Sequence, residues 1–175
     1  MDKKLLIYVL AALIIAALLF GLASNPLKPK QEEMHRHFDF KLYREGQAVD
    51  LSQDQYQSVE GHELDERVHL HDNNGDVMHV HAEGVTLDEF LASLGIELPV
   101  ASETKVFVNG DFEPRGLAYQ PQDVDQILVV HGQATDEQIV AWQATVTNNA
   151  CIYSEKCPER GQRPPTETCV GQCVI

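Results

Sequence analysis

One stretch of the chain decides the predicted fold: Val68-His69-Leu70-His71-Asp72-Asn73-Asn74-Gly75-Asp76-Val77-Met78-His79-Val80-His81. Apolar residues alternate with histidines on both sides of a turn rich in Asp, Asn and Gly, and this period of two predicts a β-hairpin. A three-residue loop with Gly75 as its bulge residue sets Leu70 opposite Met78. An even loop would mix apolar and polar side chains on each face, so burial of one face selects the odd register.

The same register places histidines on the opposite face of the hairpin. The predicted pairs are Val68 with Val80, His69 with His79, His71 with Val77, and His81 with Arg67. Directly opposed Cβ atoms lie about 4.5 to 5.5 Å apart, so two imidazole nitrogens can converge on one ion. The hairpin therefore has one face for a hydrophobic core and one for polar chemistry.

Histidines are unusually concentrated in this part of the sequence. Seven of the eight fall between residues 35 and 81, as three His-x-His pairs and His62. The pairs give six candidate metal ligands, His35, His37, His69, His71, His79 and His81. Because neutral imidazole suits zinc, copper or nickel, we expect a zinc or copper site. Further ligands or hydrogen-bonding partners could come from Asp39, Asp72 and Asp76.

Three other interpretations of this region remain open. The histidines could be polar side chains on a solvated sheet face, or a group that gains positive charge near about pH 6. A calcium loop is also conceivable, because Asp72, Asn74, Asp76 and Glu83 fall at ligand positions of an EF-hand. Val77 stands where that loop needs glycine, and strands rather than helices flank it, so a hairpin turn explains the segment better.

Further elements extend outward from the hairpin. Upstream, alternation of Phe38, Phe40 and Leu42 with polar residues predicts a strand that returns after Glu45-Gly46 as a second hairpin. That strand brings His35 and His37 to the other histidines only if it packs beside residues 68–81. Downstream, the predicted elements are a helix capped by Thr86 and Glu89 and ended by Gly95, strands at 105–108 and 127–130, and a helix capped by Thr135 and Gln138.

Short motifs in residues 67–132 carry a resemblance to a known fold. They are Thr86-Leu87-Asp88-Glu89-Phe90, Phe107-Val108-Asn109-Gly110, and Tyr119 with Asp123-Val124-Asp125-Gln126-Ile127. With the order hairpin, helix, strand, strand, this region resembles the β-grasp fold of ubiquitin-like and sulfur-carrier families, and the transcobalamin-type modules of anchored bacterial surface proteins. Sulfur carriers end in a free Gly-Gly, whereas His131-Gly132-Gln133 continues into further chain, so sulfur transfer and conjugation are not implied.

The N-terminus predicts a transmembrane anchor. Residues 5–23 are nineteen uncharged residues preceded by Lys3 and Lys4, and as a helix they would span about 28 Å of a hydrocarbon core of roughly 30 Å. A cleaved signal peptide is the alternative, because Gly21-Leu22-Ala23 has small residues where a signal peptidase cuts. The pattern favours an uncleaved signal-anchor in the cell membrane, with the N-terminus cytoplasmic.

All four cysteines lie in the last 25 residues, at Cys151, Cys157, Cys169 and Cys173. A segment so poor in apolar residues cannot hold itself by burial, so the even count predicts two disulfides in an oxidising compartment. Three pairings are possible. A four-thiolate zinc site is the alternative, but the usual C-x2-C spacing is absent. The cysteines therefore favour an extracytoplasmic, periplasmic domain.

These observations predict an α+β protein. Its fold is a β-grasp-like mixed sheet with one packed helix, an extra N-terminal β-hairpin, a C-terminal helix and a cysteine-containing tail, preceded by one transmembrane helix. The predicted divisions are an anchor at 1–23, a tether at 24–33, the hairpin and β-grasp-like domain at 34–132, the helix at 133–150 and the disulfide-stapled tail at 151–175.

Composition and motifs restrict the function. With 27 Asp and Glu against 13 Lys and Arg and a net charge of −14, the chain lacks the basic stripe of a nucleic-acid binder. We expect a non-catalytic, membrane-anchored binding module for zinc, copper or an envelope protein partner. A structural subunit of an envelope complex with incidental histidines is the alternative. A metal-dependent hydrolase or a thiol-disulfide redox protein has less support, because familiar catalytic motifs are absent.

Overall fold

The computed structural model describes residues 34–59, 61–99 and 103–164. Its strands are β1 Arg36–Arg44, β2 Gln47–Ala48, β3 Val68–His69, β4 Val77–Val80, β5 Thr104–Val108, β6 Asp111–Phe112 and β7 Gln126–His131. Its α-helices are α1 Leu87–Ser93, α2 Asp136–Gln143 and α3 Ala150–Tyr153. Single 3-10 turns occur at Asp54–Tyr56, Gly116–Ala118 and Pro158–Arg160.

The strands form one mixed sheet in the order β3-β4-β1-β7-β5-β6, with β2 paired to the end of β1. β1 is antiparallel to β4 and parallel to β7. The predicted N-terminal hairpin exists, but β1 is not an extra element: it is a central strand between the two halves of the sheet. Phe38 and Phe40 are buried on one face of β1, and His37 and Asp39 on the other. The strand predicted from alternating apolar and polar residues is therefore buried on both faces. The β-grasp resemblance itself stays a prediction.

The register of the histidine-rich hairpin was predicted correctly. Val68 pairs with Val80 and His69 with His79. The ladder then ends, because β3 stops at His69. The turn differs from the expectation, since the left-handed residues are Asp72 and Asn73 rather than Gly75.

Gly75 has a different role from the predicted bulge. A Cβ at this position would lie 2.5 Å from the amide nitrogen of Ser52 and 2.7 Å from the carbonyl carbon of Leu51. A methyl group cannot fit against backbone atoms at that distance, so the turn needs glycine for close approach of the chain. The side chain of Asn74 completes the turn by accepting from the amides of Asp76 and Val77.

One face of the sheet packs against α1 and forms the main hydrophobic core. The helix begins with the predicted capping box, in which Thr86 accepts from the amide of Glu89 and Glu89 accepts from the amide of Thr86. Phe90 of α1 meets Phe38 and Phe40 edge to face, with ring centroids 5.8 and 5.1 Å apart. These contacts join the helix to the central strand.

The opposite face is divided between α2 and the histidines. The predicted capping box of α2 is present at Thr135 and Gln138. Trp142 stacks on Tyr43 of β1 at 4.3 Å between ring centroids, and Ile139 packs over Leu128 and Val130. The second helix therefore lies on the sheet.

The predicted membrane architecture requires correction. Within residues 34–59, 61–99 and 103–164, no helix is long and apolar enough to cross a membrane. The longest helix there, α2, has eight residues and spans about 12 Å, well short of a hydrocarbon core of roughly 30 Å. This finding contradicts the fold class with a transmembrane helix, the signal-anchor and the single-pass cell-membrane location. The stretches predicted as anchor and tether, 1–23 and 24–33, lie outside the described residues.

Candidate metal centre

Three neighbouring strands place histidines in one row across the sheet. His79 of β4 pairs with His69 on one side and with His37 of β1 on the other. His35, two residues before His37, and His81, two residues after His79, lie on the same face because side chains alternate along a strand. Their ring centroids are 4.5 Å apart. The pairing of β1 with β4 therefore brings the third His-x-His pair to the other two.

Three of these side chains form the tightest group. One potential ligand nitrogen from each of His35, His37 and His79 lies within 4.8 Å of the other two. Ring centroids are 4.5 Å apart for His35 and His37, and 4.8 Å apart for His37 and His79. Nitrogens about 2.0 to 2.1 Å from a common zinc ion would be separated by roughly 3.4 Å in tetrahedral geometry. Binding of one ion would therefore bring the three nitrogens closer together than the 4.8 Å limit within which they lie here.

The other three predicted ligands extend this group into a continuous cluster. The ring of His71 lies 4.0 Å from that of His79, and the ring of His69 lies 5.0 Å from that of His81. We call the six residues the histidine cluster; it comprises His35, His37, His69, His71, His79 and His81. The structure therefore brings all six sequence-predicted metal candidates together.

Four of the six residues of the histidine cluster are buried, and His35 and His81 are partly exposed. His79 is 0% exposed, His37 2%, and His69 and His71 5% each. The expectation for a solvated sheet face is high exposure, and these values contradict that interpretation. Burial removes the imidazoles from competing water, so the hydrogen bonds and charges around them act more strongly.

Polar contacts at Nδ1 orient the rings of three of these histidines. His37 Nδ1 lies 2.8 Å from Ser154 Oγ, His69 Nδ1 lies 3.2 Å from the carbonyl oxygen of Asp65, and His71 Nδ1 lies 3.1 Å from Asp72 Oδ2. A carbonyl and a carboxylate can only accept, so Nδ1 of His69 and His71 carries the proton. In the neutral ring this places the lone pair on Nε2, as a metal ligand requires.

The contact with Ser154 shows that Nδ1 of His37 also carries the proton. The hydroxyl of Ser154 donates to Asp123 Oδ1 at 2.5 Å, so its oxygen is an acceptor toward His37 Nδ1. Lys156 Nζ lies 2.6 Å from Asp123 Oδ2, and the amide of His37 donates to Asp123 Oδ1. Burial raises the pKa of Asp123, but the amide of His37 and the contacts with Lys156 and Ser154 outweigh it and hold that pKa below its usual value. Asp123 therefore stays ionised. It ends the hydrogen-bonded chain that runs from His37 through Ser154.

His81 shows how the cluster treats positive charge. Burial, followed by the neighbouring His35, His69, His37 and His71, lowers the pKa of His81 to about 3. Its Nε2 is buried and makes no hydrogen bond. A protonated ring would be desolvated among other imidazoles, so His81 is neutral at neutral pH. A neutral ring is the form that binds a metal ion.

A disulfide joins Cys151 to Cys157 and closes a loop over the histidine cluster. We call residues 151–157 the disulfide loop. It carries Tyr153, whose ring lies 5.7 Å from His37 and 5.8 Å from His79, and also Ser154 and Lys156. The pairing of Cys151 with Cys157 was one of three left open by the sequence, and Cys169 and Cys173 lie outside the described residues.

Sequence reasoning missed the residues that surround the cluster. Tyr153, Ser154 and Asp123 were not predicted as site residues, although Tyr153 and Ser154 stand between two cysteines. The spacing of Cys151 and Cys157 could have indicated Tyr153 and Ser154, because a disulfide between these cysteines places the intervening side chains in a compact loop. The direction in which that loop folds depends on tertiary contacts.

The three carboxylates proposed as further ligands have separate roles. Asp72 contacts a cluster histidine, His71, at 3.1 Å. Asp76 forms an ion pair with Lys41 at 2.5 Å. Asp39 accepts from the amides of Asn149 and Ala150 and from Thr147, so it anchors the chain before α3. Burial raises the pKa of Asp39 despite these hydrogen bonds.

Comparison with known proteins adds no relative. No protein family model matches the chain, and no curated protein or solved structure matches it either. The functional argument therefore rests on the histidine cluster and its surroundings.

Proposed function

We propose that this protein binds a transition-metal ion, zinc or copper, through the histidine cluster. His35, His37 and His79 are the primary ligands. The observation that carries the proposal is their convergence, with one nitrogen of each within 4.8 Å of the others. Three imidazoles on adjacent strands are a ligand set used for zinc and suited to copper.

Burial supports binding over incidental placement. An apolar side chain would fill a buried position at lower cost than a polar one, because desolvation of a polar ring must be offset by new interactions. His37 and His79 occupy such positions next to a well-packed core. Shared ligation of an ion would offset the desolvation of several rings at once.

The donor set favours a borderline ion over a hard one. Calcium and magnesium take oxygen ligands, whereas the ligand atoms available here are imidazole nitrogens. In the described part of the chain, Cys151 and Cys157 are joined to each other and supply no thiolate. Zinc and copper(II) both accept nitrogen ligands of this kind, and the structure supports both equally.

The test uses the full chain, purified without a histidine tag. We expect elemental analysis and calorimetric titration with Zn²⁺ and with Cu²⁺ to show saturable uptake of about one ion per chain by at least one metal. The double variant His37→Gln/His79→Gln removes two primary ligands and is expected to lose this uptake. Unchanged uptake in that variant would contradict the proposal.

His62 provides the matched control. It is an exposed histidine outside the cluster, bridged to Val59 by backbone pairing. We expect His62→Gln to bind as much metal as the unchanged chain. A loss in this control equal to that in the double variant would show that uptake reflects surface histidines in general.

A further inference from the structure

The disulfide loop brings a reducible bond close to the histidine cluster. Three of its side chains reach the cluster or its hydrogen-bonded chain: Tyr153 by ring contact, Ser154 by the bond to His37, and Lys156 through Asp123. Tyr153 Oη also accepts from Asn74 Nδ2 at 2.7 Å, which ties the loop to the β3–β4 turn. The disulfide loop therefore contacts the candidate metal site and is not only a structural cross-link.

The two ends of the disulfide loop are held differently. Before the loop, the buried carboxylate of Asp39 holds the backbone of Asn149 and Ala150 at 2.7 and 3.0 Å. Within it, α3 has only four residues, and a helix this short is not stable by itself. The far end is linked covalently to the near end through Cys157 and Cys151. The position of Ser154 therefore depends on the disulfide together with the contacts of Ser154 and Lys156 with Asp123.

We infer that the Cys151–Cys157 disulfide controls the metal affinity of the histidine cluster, so that its reduction promotes release of the ion. This inference rests on the proposed function, and it adds regulation of the same site. Reduction removes the covalent closure of the loop, which loosens the hold of Ser154 on Nδ1 of His37. Groups that orient a metal-binding histidine typically contribute 10- to 100-fold to metal affinity, so we expect a loss of about that size.

The reduction step is a thiol-disulfide exchange with a dithiol reductant. Its thiolate attacks Cys157 Sγ, a new mixed disulfide forms, and the Cys151–Cys157 bond breaks with its electron pair on Cys151 Sγ. Arg160 Nη1 lies 3.3 Å from Cys151 Sγ and stabilises this leaving thiolate. The second thiol of the reductant, as thiolate, then displaces Cys157. The products are two cysteine thiols, after proton uptake, and the oxidised dithiol.

The experiment compares Zn²⁺ dissociation constants by competition with a chromophoric chelator, using the full chain in three forms. These are the oxidised unchanged chain, the double variant Cys151→Ser/Cys157→Ser, and Ser154→Ala with its disulfide intact. We expect the double variant to bind Zn²⁺ about 10- to 100-fold more weakly, and Ser154→Ala to lie between the other two. Glu155→Gln is the matched control, because Glu155 lies in the same loop and faces Arg163 instead of the cluster.

The outcomes separate the two proposals. If the oxidised chain binds Zn²⁺ and the double variant binds it equally well, the redox inference is overturned and the metal site stands. If the oxidised chain binds neither Zn²⁺ nor Cu²⁺, both proposals are overturned. If circular dichroism shows that the double variant is unfolded, Ser154→Ala decides, and an affinity equal to that of the unchanged chain overturns the inference.

Discussion

Strands β3, β4 and β1 have two faces that are equally buried and chemically opposite. On one face Val68, Met78 and Phe38 pack under α1. On the other face are the neighbouring residues of each strand, His69 after Val68, His79 after Met78 and His37 before Phe38. Both sets are almost completely removed from solvent. The same backbone therefore supports two environments that are separated only by the alternation of side chains.

The difference lies in what stabilises each face. Burial of apolar surface contributes about 25 cal/mol per Å² without a specific partner, so the face under α1 stabilises the fold by itself. Imidazoles gain little from burial alone and depend on hydrogen bonds or an ion. We therefore expect changes on the apolar face to affect folding, and changes on the histidine face to affect binding.

The largest expected effect is on the apolar face, at Phe90. Phe90→Ala removes a ring that contacts Phe38 and Phe40, and we expect a loss of about 3 to 5 kcal/mol in the free energy of unfolding, measured by urea denaturation. Phe112→Ala is the control, because Phe112 is 60% exposed and should change stability by less than about 1 kcal/mol. Equal effects at the two positions would contradict the placement of the core.

The next effect tests the histidine face by adding and removing the ion. At a free metal concentration of about 100 times the dissociation constant, binding should stabilise the chain by about 2.7 kcal/mol. For a domain of this size we expect the midpoint of thermal unfolding to fall by roughly 5 to 10 °C when a chelator removes the metal. The midpoint of His37→Gln/His79→Gln should not depend on metal. If the midpoint of the unchanged chain is also insensitive to metal, the histidine face is not stabilised by an ion.

The sequence predicted those features that depend on neighbouring residues. Both capping boxes were correct, because Thr86 and Thr135 each cap a helix with a residue three positions further on. The register at His69 and His79 was correct because a short turn and one buried face leave few alternatives. These parts of the fold are encoded within segments of about fifteen residues or fewer.

Features that depend on distant segments were missed or wrong. Sequence alternation could not show that β1 lies between β4 and β7, because that position depends on pairing with a strand more than eighty residues later. The hydrogen bond between His37 and Ser154 joins residues 117 apart. The single-pass architecture was inferred from the hydropathy of residues 5–23, the lysines before them and the C-terminal cysteines, and it is contradicted because no helix within the described residues is long and apolar enough to cross a membrane.

A smaller effect concerns the pH dependence of the histidine face. The folded state lowers the pKa of His81 to about 3, so the unfolded chain binds the extra proton between about pH 6.5 and pH 3. Stability of the metal-free protein should therefore fall as pH decreases through this window, by at most about 1.4 kcal/mol per pH unit, and by less because His81 is partly exposed.

The variant His81→Leu isolates this contribution, because leucine has a similar volume and does not titrate. Urea denaturation between about pH 6.5 and pH 4.5, with a chelator present, should show a shallower pH dependence for His81→Leu than for the unchanged chain. Parallel curves would mean that His81 accepts a proton in the folded protein. The histidine face would then tolerate charge, against its description as a neutral, desolvated surface.

The smallest expected effect on stability concerns α2. This helix covers the apolar part of the sheet face that also carries the histidines. Thr135→Ala removes the side chain that accepts from the amide of Gln138 and should cost about 1 kcal/mol, whereas Thr135→Ser keeps the hydroxyl and should cost less. Because Trp142 and Ile139 pack on Tyr43, Leu128 and Val130 rather than on histidines, metal affinity should stay unchanged in both variants. A loss of metal affinity in Thr135→Ala would contradict this expectation. It would show that metal binding by the histidine cluster depends on the packing of α2 against the sheet.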